Sequence, residues 1–137
     1  MKVLKFLDES LEDSAANFPS KQCLISEKRS YTYEDISNLV NKSGNFFQKM
    51  GIKRGDCVLI CLLNCTELVI SLYALSKIGA IAVPINYWLG AEEADFILKD
   101  CGAKLVITDS DKLTDFLSIR GNESPVVVTD SGNENTH

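Results

Sequence analysis

Five cysteines and one histidine are the thiol and imidazole side chains of this sequence that could support covalent catalysis or bind a metal ion. The histidine is the terminal residue, His137, which leaves a serine or cysteine nucleophile without an internal base. The cysteines form no Cys-x-x-Cys pair and lie at positions 23, 57, 61, 65 and 101. Three of them recur every four residues, but their segment reads as a strand and a turn rather than a helix. The sequence therefore predicts neither a nucleophilic triad nor a metal site.

The sequence also gives little support for a phosphate-binding or phospho-acceptor site. Neither Gly-x-x-x-x-Gly-Lys-Ser/Thr nor Gly-x-Gly-x-x-Gly occurs. Gly51 and Gly55 flank a turn before a predicted strand, whereas an anion would need the N-terminus of a helix. Asp109 follows a predicted strand, where a receiver-type phospho-acceptor places its aspartate. That interpretation is disfavoured, because Leu62-Leu63-Asn64 stands where such a domain needs an acidic pair.

A third candidate is a ligand rim at residues 86–88. Asn86, Tyr87 and Trp88 follow a predicted strand beyond its carboxyl end, where parallel α/β sheets bind ligands. Asn86 and Trp88 are therefore the candidate ligand-rim residues. The alternative, which we favour, is that Tyr87 and Trp88 pack over the edge of the sheet. No residue is predicted to be catalytic, cofactor-binding or metal-binding.

The elements that would position these residues begin with two helices and a hairpin. Apolar periodicity predicts a first helix over 3–17 with an inner face of Leu4, Phe6, Leu7, Leu11, Ala15 and Phe18. A hairpin follows, with its strands and turn at 22–26, 29–33 and Glu27-Lys28. Thr32 and Asp35 form a capping box for a second helix, which ends at Gly51. The apolar face of that helix would be Ile36, Leu39, Val40, Phe46, Phe47 and Met50.

From residue 57 the sequence alternates strands and helices. The predicted strands cover 57–62, 80–85, 105–108 and 126–129, and the predicted helices cover 67–78, 91–101 and 112–119. Asn64 and Glu67 are predicted to cap the start of the helix over 67–78, and Gly79 is predicted to end it. The fold class is therefore α/β, a mostly parallel sheet with flanking helices, preceded by the N-terminal helix and the β-hairpin.

Composition and charge restrict the function classes. Hydrophobic residues make up 45% and charged residues 24%, so we assign 1–129 to one α/β unit and 130–137 to a polar, disordered tail. The net charge of −5 argues against nucleic-acid binding. Polar residues such as Glu67 and Lys77 interrupt the apolar stretch over 57–85, so no membrane span is predicted. The odd number of cysteines and the lack of a signal-peptide pattern predict a reduced, cytoplasmic setting.

Seven segments resemble a known family in their order and spacing. They are Tyr31-Thr32-Tyr33-Glu34-Asp35, Gly51-x-x-x-Gly55-Asp56-x-Val58, Asn64-x-x-Glu67-Leu68, Lys77-x-Gly79-Ala80, Val83-Pro84-Ile85-Asn86, Glu93-x-x-Phe96-Ile97-Leu98 and Cys101-Gly102-Ala103-Lys104-Leu105-Val106-Ile107-Thr108. Together they resemble the opening of the AMP-forming acyl-CoA synthetases, luciferases and peptide-synthetase adenylation domains. The resemblance implies a partial N-terminal domain of an adenylate-forming enzyme.

The resemblance also implies a reaction. Family members use Mg-ATP to convert a carboxylate to an acyl-adenylate and pyrophosphate, and they then transfer the acyl group to the thiol of CoA or a carrier protein. ATP, Mg and CoA are implied for the whole enzyme and none for this segment, because the phosphate loop and the catalytic lysine lie beyond its last residue. The asparagine at position 86 resembles the acyl-CoA synthetase branch of the family, whereas the amino-acid-activating branch more often has an aspartate there. Some members of this family have a basic residue at the position of Trp88, and that residue contacts a CoA phosphate. A tryptophan cannot pair with this charge.

Three functions are open on this basis. The first is the front part of an acyl-CoA synthetase-like ligase that supplies scaffold, with an amino-acid-activating adenylation domain as a variant. The second is a stand-alone interaction module that docks on a partner chain. The third is an independent nucleotide- or CoA-binding domain that uses Asn86 and Trp88. The expected partners are the remainder of the ligase or a companion subunit, and a carrier protein.

Overall fold

The computed structural model describes residues 6–26, 29–119 and 123–129. The elements before the main sheet are α1 (Leu7–Asn17), β1 (Gln22–Ile25), β2 (Ser30–Thr32) and α2 (Tyr33–Lys49). Strands β1 and β2 are antiparallel and form a two-stranded sheet of their own. We call these four elements, together with the residues that flank them over 6–26 and 29–50, the N-terminal layer. The hairpin is confirmed, while its predicted turn at Glu27-Lys28 lies outside the described residues, as do 1–5 and the predicted tail over 130–137.

The main sheet contains four parallel strands. Its elements are β3 (Cys57–Cys61), α3 (Thr66–Ile78), β4 (Ile81–Pro84), α4 (Ala91–Cys101), β5 (Leu105–Asp109), α5 (Ser110–Ser118) and β6 (Val126–Thr129). The strand order is β4-β3-β5-β6, and each neighbouring pair is parallel. The predicted α/β fold class is therefore confirmed.

The sheet has a hydrophobic core on each of its faces. Val58 and Ile60 of β3 belong to the core that α1, α2 and α3 cover, while Leu59 and Cys61 belong to the core under α4 and α5. Successive side chains of a strand point to opposite faces, which explains the continuous apolar run in a strand covered on both sides. Because the four strands are parallel, their carboxyl ends all lie at the same end of the sheet, which we call its carboxyl edge.

Helix ends follow the predicted caps in two places. Thr32 accepts a hydrogen bond from the backbone N–H of Asp35 (3.1 Å), and the Asp35 carboxylate accepts one from the backbone N–H of Thr32 (2.9 Å). Gly79 ends α3 at φ 75°, and a Cβ there would lie 3.0 Å from Cγ of Arg54. Both the left-handed backbone and this close approach favour glycine.

The predicted cap of α3 is wrong. The helix begins at Thr66, and Cys65 occupies the N-cap position with an extended backbone and no side-chain cap hydrogen bond. Asn64 therefore lies outside the helix. Glu67 is then the second helical residue rather than the third, and a capping box requires its acidic residue at the third.

The predicted inner face of α1 is also largely wrong. Leu11 is buried, but Phe6, Leu7 and Phe18 are exposed. The helix begins at Leu7 in the described part of the chain rather than at residue 3. In α2, likewise, Phe46 and Met50 are exposed although periodicity assigns them to the apolar face. Amphipathic pattern and burial therefore disagree at these five positions of the N-terminal layer, whereas Ile36, Val40 and Phe47 of the predicted α2 face are buried.

Candidate functional site

The loop after β4 reaches the carboxyl edge of the sheet, where the sequence predicts a ligand rim. The side-chain oxygen of Asn86 accepts a hydrogen bond from the backbone N–H of Trp88 (3.0 Å). The backbone carbonyl of Asn86 accepts another from Leu89 N–H (3.2 Å). An asparagine that bonds the backbone two residues ahead fixes a turn. The Asn86 side chain thus shapes the loop over residues 86–90.

Tyr87 anchors this loop to β5. Its ring is buried, and its hydroxyl donates a hydrogen bond to Oδ1 of Asp109 at 3.1 Å. Burial raises the pKa of Tyr87, and the hydrogen bond to Asp109 and that carboxylate's charge raise it further. The hydroxyl consequently stays protonated as the donor. Asp109 is itself 2% exposed, so this buried carboxylate needs the donors around it.

Asp109 and Lys112 form the second attachment of the loop. The same Oδ1 of Asp109 accepts the backbone N–H of Lys112 at 3.1 Å and thereby caps α5. The Lys112 ammonium donates to the carbonyl of Leu89 (3.2 Å) and to Oδ2 of Asp115 (3.0 Å). It also lies 5.5 Å from the centre of the Tyr87 ring. The helix residue Lys112 and the strand residue Asp109 therefore hold the loop in place.

Trp88 is at the outer end of this arrangement. It is 77% exposed, and its ring meets the Tyr87 ring edge-on with centroids 5.3 Å apart. Beside it, an open groove of about 420 Å³ is lined by Leu89, Glu92, Glu93, Phe96 and Ile97. Glu93 also takes part in the loop, because it accepts a hydrogen bond from the backbone N–H of Gly90 (3.0 Å).

The structure thus places both predicted rim residues on one loop. The packing that we favoured is confirmed for Tyr87 and is wrong for Trp88, whose indole is in solvent. Sequence reasoning missed Asp109 and Lys112 as supports of this loop. Asp109 was considered for phospho-transfer alone, although an aspartate directly after a strand and before a helix is also the signal of an N-cap.

Other reactive groups are inert in this setting. Cys61 is buried, and burial raises its pKa to about 11, a shift that the Lys112 ammonium opposes in part. A thiol with a raised pKa is a poor nucleophile at neutral pH. Within the described ranges, no three cysteine, histidine or carboxylate side chains form a group suited to a metal ion. None of the helices in that part of the chain combines the length and apolar character of a membrane-spanning segment.

Comparison with known proteins identifies the family. The family model described as AMP-binding enzyme matches residues 11–137. The chain belongs to the AMP-binding enzyme family. It is therefore a member of the adenylate-forming ligases, and the resemblance seen in the sequence is confirmed.

Individual relatives agree with this family. The crotonobetaine/carnitine–CoA ligase of Salmonella paratyphi A is 34% identical over 126 residues, which are 88% of this chain and 24% of that ligase. The anthranilate CoA ligase AuaEII, solved in complex with anthranoyl-AMP, superposes with a TM-score of 0.87 and 32% identity over 94% of this chain and 26% of its own. The N-terminal domain of FACL13 from Mycobacterium tuberculosis has a TM-score of 0.87 and 29% identity over 93% of this chain and 35% of its own.

The chain spans about a quarter of the length of the curated ligase that it matches. The resemblance seen in the sequence implies ATP, Mg and CoA for the whole enzyme. The exposed indole of Trp88 has no charge with which to neutralise a CoA phosphate. The Lys112 ammonium, which lies over the Tyr87 ring, is bound to the Leu89 carbonyl and the Asp115 carboxylate.

Proposed function

We propose that this chain is the first part of the N-terminal domain of an AMP-forming acyl-CoA ligase and that it acts there as scaffold. The complete reaction joins a carboxylate to ATP to give an acyl-adenylate and pyrophosphate, and the acyl group then passes to the thiol of CoA or a carrier protein. In this proposal the groups that contact ATP and Mg²⁺ belong to residues other than those described. This chain contributes the parallel sheet and the loop over 86–90 at its carboxyl edge.

The hydrogen bonds that the rim residues make within the chain support this proposal. Asn86, Tyr87 and Asp109 have the residue types and the location of a ligand site at the end of parallel strands. Each of them instead bonds the chain itself: Asn86 the backbone of Trp88, and Tyr87 and Asp109 one another. These hydrogen bonds position the loop, and the proposal assigns the three side chains no reaction with a substrate.

We favour a reaction in which the substrate is a carboxylic acid and the acyl acceptor is CoA. Asn86 after Val83-Pro84-Ile85 is similar to the acyl-CoA synthetase branch of the family. The names of two relatives, crotonobetaine/carnitine–CoA ligase and anthranilate CoA ligase, agree with that branch. The amino-acid-activating branch is the alternative within the same family.

A chimera tests the scaffold role. The part of the Salmonella paratyphi A ligase that this chain matches would be replaced by this chain, and ATP–pyrophosphate exchange would be measured with crotonobetaine. We expect exchange that depends on crotonobetaine, because the substituted part positions residues without choosing the acid. The ligase without that part is the control and should show none. A chimera that folds cooperatively but catalyses no exchange would contradict the proposal.

The stand-alone interaction module remains a second candidate, and the exposed apolar residues of the N-terminal layer favour it. Such a module would form a stable complex with a companion chain without contributing to ATP chemistry. The nucleotide- or CoA-binding alternative is tested by titration with ATP and with CoA while the emission of Trp88 is recorded, since Trp88 is the sole tryptophan of the sequence. A saturable change in emission would favour that alternative over the scaffold role.

A further inference from the structure

The open groove beside the rim loop is formed by one loop residue and four residues from the first two turns of α4, namely Leu89, Glu92, Glu93, Phe96 and Ile97. Residues three and four apart lie on the same face of a helix, so the two glutamates stand beside Phe96 and Ile97. The structure thereby joins three apolar side chains and two carboxylates around one volume of about 420 Å³. We call this feature the α4 groove.

The apolar part of the α4 groove is accessible from solvent. Ile97 packs partly against the core under α4 and α5, whereas Phe96 beside it is 71% exposed. The exposed indole of Trp88 precedes Leu89 at the loop end of the groove. Aromatic side chains are enriched where proteins bind one another, and they contribute much of the binding energy there.

The charged part of the α4 groove is negative and lacks a cation from the chain itself. Glu93 accepts the backbone N–H of Gly90 and so takes part in the start of α4. Glu92 is exposed, and its side chain has no hydrogen-bond or ion-pair partner among the described residues. The lysine of this helix, Lys99, is bound to Asp95 at 2.7 Å. A cation at Glu92 therefore has to come from another molecule.

These two properties together determine the chemistry of the occupant. Lysine and arginine combine an apolar stem with a cationic head, so they can lie along Phe96 while the head reaches a carboxylate. A cation over an aromatic ring is also favourable. We propose that the α4 groove binds a basic amphipathic segment of a partner protein, which places apolar side chains against Phe96 and Ile97 and a lysine or arginine at Glu92. Such a segment in an apolar groove is a common mode of recognition.

Other occupants match the charge of the α4 groove less well. The phosphate groups of an anionic membrane would meet the carboxylates of Glu92 and Glu93, and like charges repel. A second copy of this chain has a net charge of −5 itself, which also opposes association. The inference goes beyond the proposed function, because it requires no ATP chemistry.

The test titrates the 137-residue chain with an amphipathic helical peptide of leucine and lysine, and with a peptide in which glutamate replaces every lysine. Binding is recorded by titration calorimetry and from the emission of Trp88, the sole tryptophan of the sequence. Vesicles of phosphatidylglycerol are added in a separate titration. Sedimentation of the chain alone reports its oligomeric state.

Two pairs of variants locate the binding surface. Glu92→Gln removes the charge, and Glu34→Gln is its matched control, because both glutamates are exposed second residues of their helices and α2 covers the opposite face of the sheet. Phe96→Ala removes the aromatic ring, and Leu117→Ala is its control, because Leu117 is 68% exposed on α5 and does not line the groove. Urea unfolding establishes that each variant keeps the stability of the parent chain.

We expect the leucine–lysine peptide to bind one-to-one, with a shift of the Trp88 emission to shorter wavelength, and the leucine–glutamate peptide not to bind. Glu92→Gln should weaken binding about threefold or more and Phe96→Ala about tenfold, while each control changes it by less than about twofold. Added salt should weaken binding to the parent chain more than to Glu92→Gln, because it screens the charge pair.

Four results would overturn the proposal. Absence of peptide binding would show that the α4 groove is not a docking site for this chemistry. Equal effects of Glu92→Gln and Glu34→Gln, or equal binding of the two peptides, would show attraction to the whole chain or to apolar surface alone. A change in Trp88 emission with phosphatidylglycerol vesicles would favour a membrane as the occupant. A dimer that Phe96→Ala dissociates would favour a second copy.

Discussion

The rim loop over residues 86–90 and the N-terminal layer differ in how far this chain completes them. At the rim, Tyr87, Asp109 and Lys112 bond one another or the loop backbone, while the apolar side chain of Trp88 extends into solvent. In the N-terminal layer, apolar side chains that periodicity assigns to buried faces are exposed, and β1 pairs with β2 alone in the described part of the chain. The rim loop is therefore fixed by polar contacts within the chain, whereas the exposed apolar positions of the N-terminal layer have no such network among the described residues.

The largest effect should come from the residue that completes the rim. Asp109→Ala removes the cap of α5 and leaves the buried Tyr87 hydroxyl without its acceptor. We expect the free energy of unfolding to fall by about 3 kcal/mol, from the loss of a cap and of a buried hydrogen bond. Urea unfolding measures this change.

Asp111→Ala is the matched control for that substitution. Asp111 is exposed in the first turn of α5, where its charge stabilises the helix by about 0.5 kcal/mol. Equal losses for the two variants would show that Asp109 acts merely as a charge near the helix terminus. The view of the rim as a completed network would then be wrong.

The second prediction concerns alkaline pH. The pKa of Cys61 is raised from its ordinary value of 9.0 to about 11, chiefly by burial, so the folded state keeps a proton that the unfolded state releases. Stability from this group is complete below pH 9 and is lost as the pH rises to about 11. The loss should be about 2 to 3 kcal/mol, and Tyr87, whose pKa is raised as well, continues it at higher pH.

Urea unfolding at a series of pH values measures this slope. In Cys61→Ala the fall in unfolding free energy between pH 9 and 11 should be clearly smaller than in the parent chain. An unchanged slope in that variant would show that Cys61 is not the group responsible.

The smallest predicted effect is the loss of stability when a residue at a helix start is replaced, and two such substitutions are compared. Thr32→Ala removes a capping box that the structure contains and should lower the free energy of unfolding by about 1 kcal/mol. Asn64→Ala should change it by only about 0.2 kcal/mol, because Asn64 does not cap α3. Urea midpoints of the two variants provide the measurement. A larger loss at Asn64 would contradict the helix start at Thr66.

The sequence indicates the main sheet better than its surroundings, for physical reasons. Each strand of the sheet is apolar and ends in a turn signal, so its type and place can be read locally, as at Cys57–Cys61 and Val126–Thr129. Local signals also predict the capping box at Thr32 and the turn at Gly79. The error at Asn64 is a shift of one residue, which local pattern does not resolve.

The sequence does not reveal contacts between distant residues, and it does not reveal which predicted inner faces stay exposed. The hydrogen bond between Tyr87 and Asp109 joins residues that are 22 positions apart, and their pairing depends on the parallel order of β4, β3 and β5. Periodicity assigns Phe6 and Phe46 to inner faces, but both are exposed, because burial depends on what packs against a helix and not on the spacing of its apolar residues alone. Asn86 and Trp88 therefore stay predicted rim residues, while the supports of their loop at Asp109 and Lys112 come from the structure alone.

The most direct test of the scaffold account is ATP–pyrophosphate exchange by the 137-residue chain alone, assayed with a panel of aliphatic and aromatic carboxylic acids. We expect no exchange above the buffer control with any acid, because the rim side chains are bound to the chain itself. Exchange that depends on one of the acids would show that these residues hold a complete active site, and it would contradict the account.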